Sequence, residues 1–316
     1  MKKILNRSIL LVLVLLVSFL CGCERSTTTI QLDDITITDS LGNDVNFKEA
    51  PKRVVVLQAS LVISYLLSGG NIIGISDEYD SYGLKENYGV SDDVQVIGSN
   101  KNPSVETIIA LNPDLIIYSP DITGQLSAAT TLKNAGFKTY ASKIDSFSDY
   151  LFCLKQYTIL NDNPEAYKKY GTDVEDKINT IISNVPKDKE VSALFMRAKS
   201  AGIKVFAQGH LVCDILNDLG IKNIAKTDNS LLNELSVEKI LEDDPDYIFV
   251  VYMGQDHTEE IEKMLDEELF SQPSWSSLTA VKNKHYIVLP VELFHFKPNE
   301  KWAEAYQYIF DIVYGK

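Results

Sequence analysis

Ser104-Val-Glu-Thr-Ile-Ile-Ala-Leu-Asn-Pro-Asp-Leu-Ile-Ile-Tyr118 recurs 132 positions later as Ser236-Val-Glu-Lys-Ile-Leu-Glu-Asp-Asp-Pro-Asp-Tyr-Ile-Phe-Val250, identical at seven of fifteen positions. Each copy reads as a short helix, a turn and a buried strand. Ser104 and Ser236 suit the N-cap, where a side-chain oxygen accepts from a free backbone N–H, and Glu106 and Glu238 fall in the first turn. Asn112-Pro113-Asp114 and Asp244-Pro245-Asp246 end the helices, because the residue before proline is pushed out of the α region. The apolar runs 115–118 and 247–251 do not alternate, as expected of strands covered on both faces.

A weaker echo sets Leu61-Val62…Leu66…Gly70 against Leu211-Val212…Leu216…Gly220 at an offset of 150. The alternative is chance similarity between two ordinary helix–strand units. Repeats at domain spacing favour a duplication instead. The offsets differ by 18 residues, so the first half carries extra chain, which holds Tyr79, Tyr82 and Tyr88.

A chain of 316 residues is expected to form two domains. Residues 1–22 read as a lipoprotein signal peptide: Lys2, Lys3 and Arg7 precede an apolar run, 9–20, too short for a comfortable membrane span. Leu20-Cys21-Gly22-Cys23 resembles the bacterial lipobox, with Cys23 as the lipid-modified residue. A simple secretory peptide with two incidental cysteines is the alternative. Cleavage would remove three basic and no acidic residues, moving the formal charge from −14 to −17. Such an acidic chain is not expected to bind nucleic acid or anionic lipid through its overall field. Residues 23–34 read as a polar tether. Cys153 and Cys213, in different halves, are expected as small buried hydrophobes rather than a disulfide.

The remaining chain divides into an N-terminal α/β lobe (35–146), a helical connector (147–186) and a C-terminal α/β lobe (187–316). Residues 35–47 read as a hairpin, and short apolar strands then alternate with helices, the pattern of parallel sheets. In the connector, the segment 164–184 reads as one helix of about 30 Å, with Pro164 at its start.

At this point the chain resembles the substrate-binding proteins of ABC importers for ferric siderophores, haem and cobalamin. The matching pieces are Thr38-Asp-Ser-Leu-Gly42, Pro51-Lys-Arg-Val-Val55, the two Ser-Val-Glu…Pro-Asp units, Leu219-Gly-Ile-Lys-Asn-Ile224 and Ala280-Val-Lys-Asn283. The resemblance implies two Rossmann-like lobes with parallel sheets, joined by a single long backbone helix, with a ligand cleft between them. It implies no enzyme activity, a monomer held at the extracytoplasmic face of the membrane through Cys23, and an ABC permease with its ATPase subunits as partner. It also implies that Glu106 and Glu238 engage arginines of a two-fold symmetric permease. Helix-dipole compensation is their alternative role.

Other chemistries find no motif. There is no nucleophile elbow, P-loop, dinucleotide fingerprint or C-x-x-C, and His210, His257, His285 and His295 lack zinc-ligand spacing. An enzyme cleft built from scattered acids and histidines is the different-class alternative, behind a non-transport surface receptor. Ligands of open parallel sheets lie beyond the strands' carboxyl ends. That places Tyr118, Arg197, Tyr252, Met253, Phe294 and His295 in the cleft, with Tyr79 and Tyr82 on its rim. For each aromatic, simple packing is the competing reading. Arg197 follows a buried strand, 191–196, and its planar fork suits the oxygens of a ferric chelate. An ion pair with a nearby acid is its alternative. The expected ligand is a ferric siderophore. Cobalamin, or haem with His295 or Met253 as axial ligand, is the alternative. No cofactor and no directly held metal are expected.

Overall fold

The computed structural model describes residues 34–226, 232, 236–253 and 258–315. The leader, Cys23, the tether up to Asp33, Gly254 and His257 lie outside them. An antiparallel hairpin, β1 (Ile35–Thr38) and β2 (Asp44–Phe47), comes first. In the first lobe β3 (Val54–Val56), β4 (Gly74–Ile75), β5 (Gln95–Val96), β6 (Leu115–Tyr118) and β7 (Thr139–Ala141) form a parallel sheet in the order β5-β4-β3-β6-β7. Helices α1 (Ala59–Leu67), α2 (Val105–Ala110) and α3 (Thr123–Asn134) cover it, and α4 (Phe147–Leu160) leads away. The order places a topological switch point between β3 and β6.

The connector runs helically over 164–183, as α5 (Pro164–Tyr167), a π turn (Lys168–Thr172) and α6 (Asp173–Ser183). The expected rod is there, with one wide turn in it. Asn163 caps its start by accepting from the Ala166 N–H.

In the second lobe β8 (Val191–Lys199), β10 (Ile221–Asn223), β11 (Tyr247–Tyr252) and β12 (Tyr286–Val288) are parallel in the order β10-β8-β11-β12. One strand departs from the all-parallel expectation: β9 (Gly202–Val205) runs antiparallel to the distal half of β8. Only Ser200 and Ala201 separate the two strands, too few for a crossover, so the chain turns straight back. Helices α7 (Leu211–Asp218) and α8 (Val237–Asp243) follow, and α9 (Trp302–Tyr314) closes the chain against α6.

The repeat is visible in detail. Ser104 accepts from the Thr107 N–H and Ser236 from the Lys239 N–H, so both serines cap their helices. Asn112 and Asp244, 132 positions apart, both take positive φ, 43° and 36°. Asn and Asp tolerate that conformation better than other non-glycine residues. Each Pro-Asp carboxylate then ties down the neighbouring strand. Asp114 Oδ2 accepts from the Lys52 and Arg53 N–H groups at 2.9 Å. Asp246 Oδ2 accepts from the Ser192 N–H at 2.8 Å and its hydroxyl at 2.9 Å. Asp246→Ala is therefore expected to lower the unfolding free energy by about 1–3 kcal/mol, the cost of orphaning such donors. A urea midpoint that does not move would refute this.

Strand pleating sorts the core. Val54 and Val56, Leu115 and Ile117, Ala193 and Phe195, Tyr247 and Phe249 belong to one buried cluster, which runs from lobe to lobe through α4, α6 and α9. Their neighbours Val55 and Ile116 pack into a separate cluster outside the first lobe, Leu194 and Ile248 into another outside the second. Cys153 and Cys213 are buried and free.

Candidate functional site

A cavity of about 650 Å³ lies where the carboxyl ends of the two sheets meet. The first lobe supplies Gln58 and Ser60, from the end of β3 and the start of α1, then Glu78 and Tyr82 from the 3₁₀ segment Asp77–Tyr82. The second lobe supplies Arg197 from β8, His210 from the N-cap of α7, and Met253 just past β11. His295, Phe296, Lys297 and Trp302 complete the lining. Size alone does not single it out. Hollows of about 630 Å³ near Pro51 and Pro113 and about 1060 Å³ near Lys187 and Lys222 lie at the strands' amino ends. What marks the cleft is its chemistry.

Of the residues expected in the cleft, Arg197, Met253, His295 and Tyr82 line it. Tyr118, Tyr252, Phe294 and Tyr79 do not. Tyr118 and Tyr252 stand at strand ends, but pleating puts them on the outer faces, in row with Ile116 and Val250. Phe294 is fully buried, 5.7 Å from the Tyr308 ring. Tyr79 packs against the shared core with Lys85 Nζ 5.3 Å from its ring centre. Arg197 lies within β8, not after it, because that strand continues to Lys199. It continues the row Ala193, Phe195 on the face toward the shared core, and so projects past that core into the cleft. Glu106 and Glu238 are exposed in the first turns of α2 and α8. Glu238 accepts from the Ser236 hydroxyl at 3.2 Å.

Glu78, His210, Lys297 and Trp302 were not singled out from sequence. One signal did point to His210. At the offset of 150 it aligns with Ser60, and both line the cleft. Lys297 and Trp302 had no such pointer.

The second-lobe wall is basic. Arg197 forms no ion pair among the described residues. Its Nε is buried without a partner, its guanidinium lies 5.6 Å from the Phe206 ring centre, and burial lowers its pKa. The ion-pair alternative for Arg197 finds no partner among the described residues. Lys297 Nζ lies 3.8 Å from Asp145 and donates to the Ile144 carbonyl, linking the last segment to the first lobe. Burial lowers its pKa as well.

Burial and then Arg197 push the His295 pKa down to about 4. Burial, then Arg197, His295 and Lys297 push His210 down to about 3. His210 Nδ1 accepts from the Val212 N–H at 3.2 Å, a bond that requires the ring nitrogen unprotonated. Both folded-state values lie below the unfolded value near 6.5, so the unfolded chain binds more protons in acid. Stability is then complete above about pH 6.5 and falls as pH drops toward 4 and 3. His295→Gln is expected to flatten the fall in Tm between about pH 6.5 and 4. An unchanged profile would refute it.

A family model described as periplasmic binding protein matches residues 67–293. The chain is 28% identical over 294 residues to the Fe(3+)-citrate-binding protein YfmC of Bacillus subtilis (strain 168), covering 89% of this chain and 87% of that one. It is 27% identical to the iron(3+)-hydroxamate-binding protein FhuD of the same organism, with 81% and 79% covered. Among solved structures it is similar to Staphylococcus aureus SirA complexed with staphyloferrin B, at a TM-score of 0.68 and 20% identity, covering 88% of this chain and 98% of that one. That last likeness speaks for the fold alone. With two α/β lobes, a cleft at their facing strand ends and a family match across most of its length, the chain belongs to the periplasmic binding protein family, which binds substrates for transport and is not a family of enzymes.

Proposed function

We propose that this protein is a lipid-anchored extracytoplasmic receptor that captures a ferric siderophore in the interlobe cleft and delivers it to the permease of an ABC importer. The carrying observation is a set of buried polar atoms with no hydrogen-bond partner among the described residues: Gln58 Oε1, Ser60 Oγ, Glu78 Oε1, Arg197 Nε, His295 Nδ1 and Trp302 Nε1. All six residues line the one cleft. Buried polar groups are normally paired, so such a concentration is what a bound ligand completes. The specificities for which YfmC and FhuD are named, an iron citrate and an iron hydroxamate, support a ferric chelate.

A second reading, haem, draws on Met253 and His295, which both line the cleft and are axial-ligand types. The charged lining weighs against it, and against near-neutral cobalamin. The test is titration of the purified protein with ferric hydroxamates, ferric catecholates, ferric citrate, haem and cobalamin, followed by tryptophan fluorescence. Tight binding of haem or cobalamin alone would overturn the proposal.

The anchor rests on the basic start, the apolar run and Leu20-Cys-Gly-Cys23. Cys23→Ala is expected to release the protein from membranes or leave its precursor uncleaved, as seen by fractionation and immunoblot. Normal processing with full membrane retention would refute it. The exposed first-turn pair, Glu106 and Glu238, is proposed as the permease contact.

A further inference from the structure

The unpartnered atoms in the cleft are sorted by lobe. The first-lobe wall offers Gln58 Oε1, Ser60 Oγ and Glu78 Oε1, two of them acceptors only. The second lobe offers Arg197 Nε, which only donates, and His295 Nδ1; Trp302 Nε1, also a donor, sits at the start of α9 with its ring 5.7 Å from Phe147. Charge follows the same division. Arg197 stands on the donor side, while Asp77 and Glu78 stand on the acceptor side, with Lys101 exposed beside them; Lys297, which donates to the Ile144 carbonyl and lies 3.8 Å from Asp145, belongs to the seam between the lobes. Glu78 is half-buried and has no ion pair among the described residues; burial raises its pKa, and hydrogen bonds from Asn100 and the Ala59 N–H only partly offset that rise. Asp145, the other acid of the lining, is already held by Lys297.

A ligand that is anionic all round would answer Arg197 but would set its negative edge against Glu78. We infer that the cleft is built for a two-poled ferric chelate, with carboxylate oxygens toward Arg197 and a protonated amine toward Glu78. This rests on the ferric-siderophore reading and narrows it to carboxylate chelators that carry a free amine. The amine would give Glu78 Oε1 a charged donor and favour the ionised carboxylate that burial disfavours, and a charge-assisted bond is the strong kind.

The test uses the full chain, purified in detergent, and two ferric complexes. One chelator is a citrate monoamide of ethylenediamine with its terminal amine free, and the other is the same molecule N-acetylated. Trp302 reports binding by quenching, since it lines the cleft, whereas Trp275 packs apart among Phe270 and Tyr286. The free-amine complex is expected to bind at least about tenfold more tightly than the acetylated one. Glu78→Gln, which keeps the shape and removes the charge, is expected to collapse that ratio to about one. Arg197→Ala is expected to weaken both complexes and preserve the ratio. Equal binding of the two complexes to the unsubstituted protein would overturn the two-poled cleft and leave the ferric-chelate reading standing. A ratio that survives Glu78→Gln would overturn the assignment of Glu78. Failure of both complexes and of the other ferric chelates to quench, with haem or cobalamin binding, would overturn both readings.

Discussion

Uptake of the ferric complex is expected to fall to background in cells carrying Glu106→Ala together with Glu238→Ala, while the purified variant binds its ligand as tightly as the unsubstituted protein. Each glutamate sits in the first turn of a helix capped by serine, and each helix runs back toward the start of a central strand. The helix starts therefore lie on the side of the strands' carboxyl ends, the side of the cleft mouth. Both carboxylates are exposed, and neither residue lines the cavity. Dipole compensation is worth only about 0.3–1 kcal/mol at each helix, too little to decide whether the protein folds. Exposed charges at equivalent places on two lobes suit a partner that is itself two-fold. Loss of ligand affinity in the purified variant would move these residues into the site and refute docking. Full uptake by the double variant would refute it equally.

Arg197→Ala is expected to weaken binding of the ferric chelate by about 1.5–3 kcal/mol, the range for a hydrogen bond to a charged group. That is about ten- to one-hundred-fold in Kd. The ligand-free protein should not suffer. Arg197 has no carboxylate partner among the described residues, and burial already disfavours its charge, so removing it relieves desolvation as much as it costs packing on Phe206. Thermal unfolding without ligand is expected to stay level or rise slightly. Arg197→Lys should recover part of the affinity, since it restores charge without the planar fork. Unchanged affinity in Arg197→Ala would show that the guanidinium only packs.

The architecture was legible because it is local and written twice. Serine caps, proline breaks and unbroken apolar runs depend on a few neighbouring residues, and the 132-residue repeat supplied an internal check. The antiparallel β9 was less legible, since an apolar run carries no record of its direction. The site was legible to the level of strand ends and no further. The sequence by itself determined two α/β lobes, a helical connector, an acidic chain with a lipoprotein-like leader, and Arg197 as a cation at a strand end. Only the tertiary structure decided which strand-end side chains face the ligand. Arg197 lies in row with Phe195 and enters the cleft, while Tyr118 and Tyr252, one pleat out of phase, are buried under outer helices. It also decided that Glu78, His210, Lys297 and Trp302 converge there, from segments more than two hundred positions apart at the extremes. Such convergence is set by how the lobes pack on α6 and α9, and non-local packing leaves no mark on the spacing of neighbouring residues.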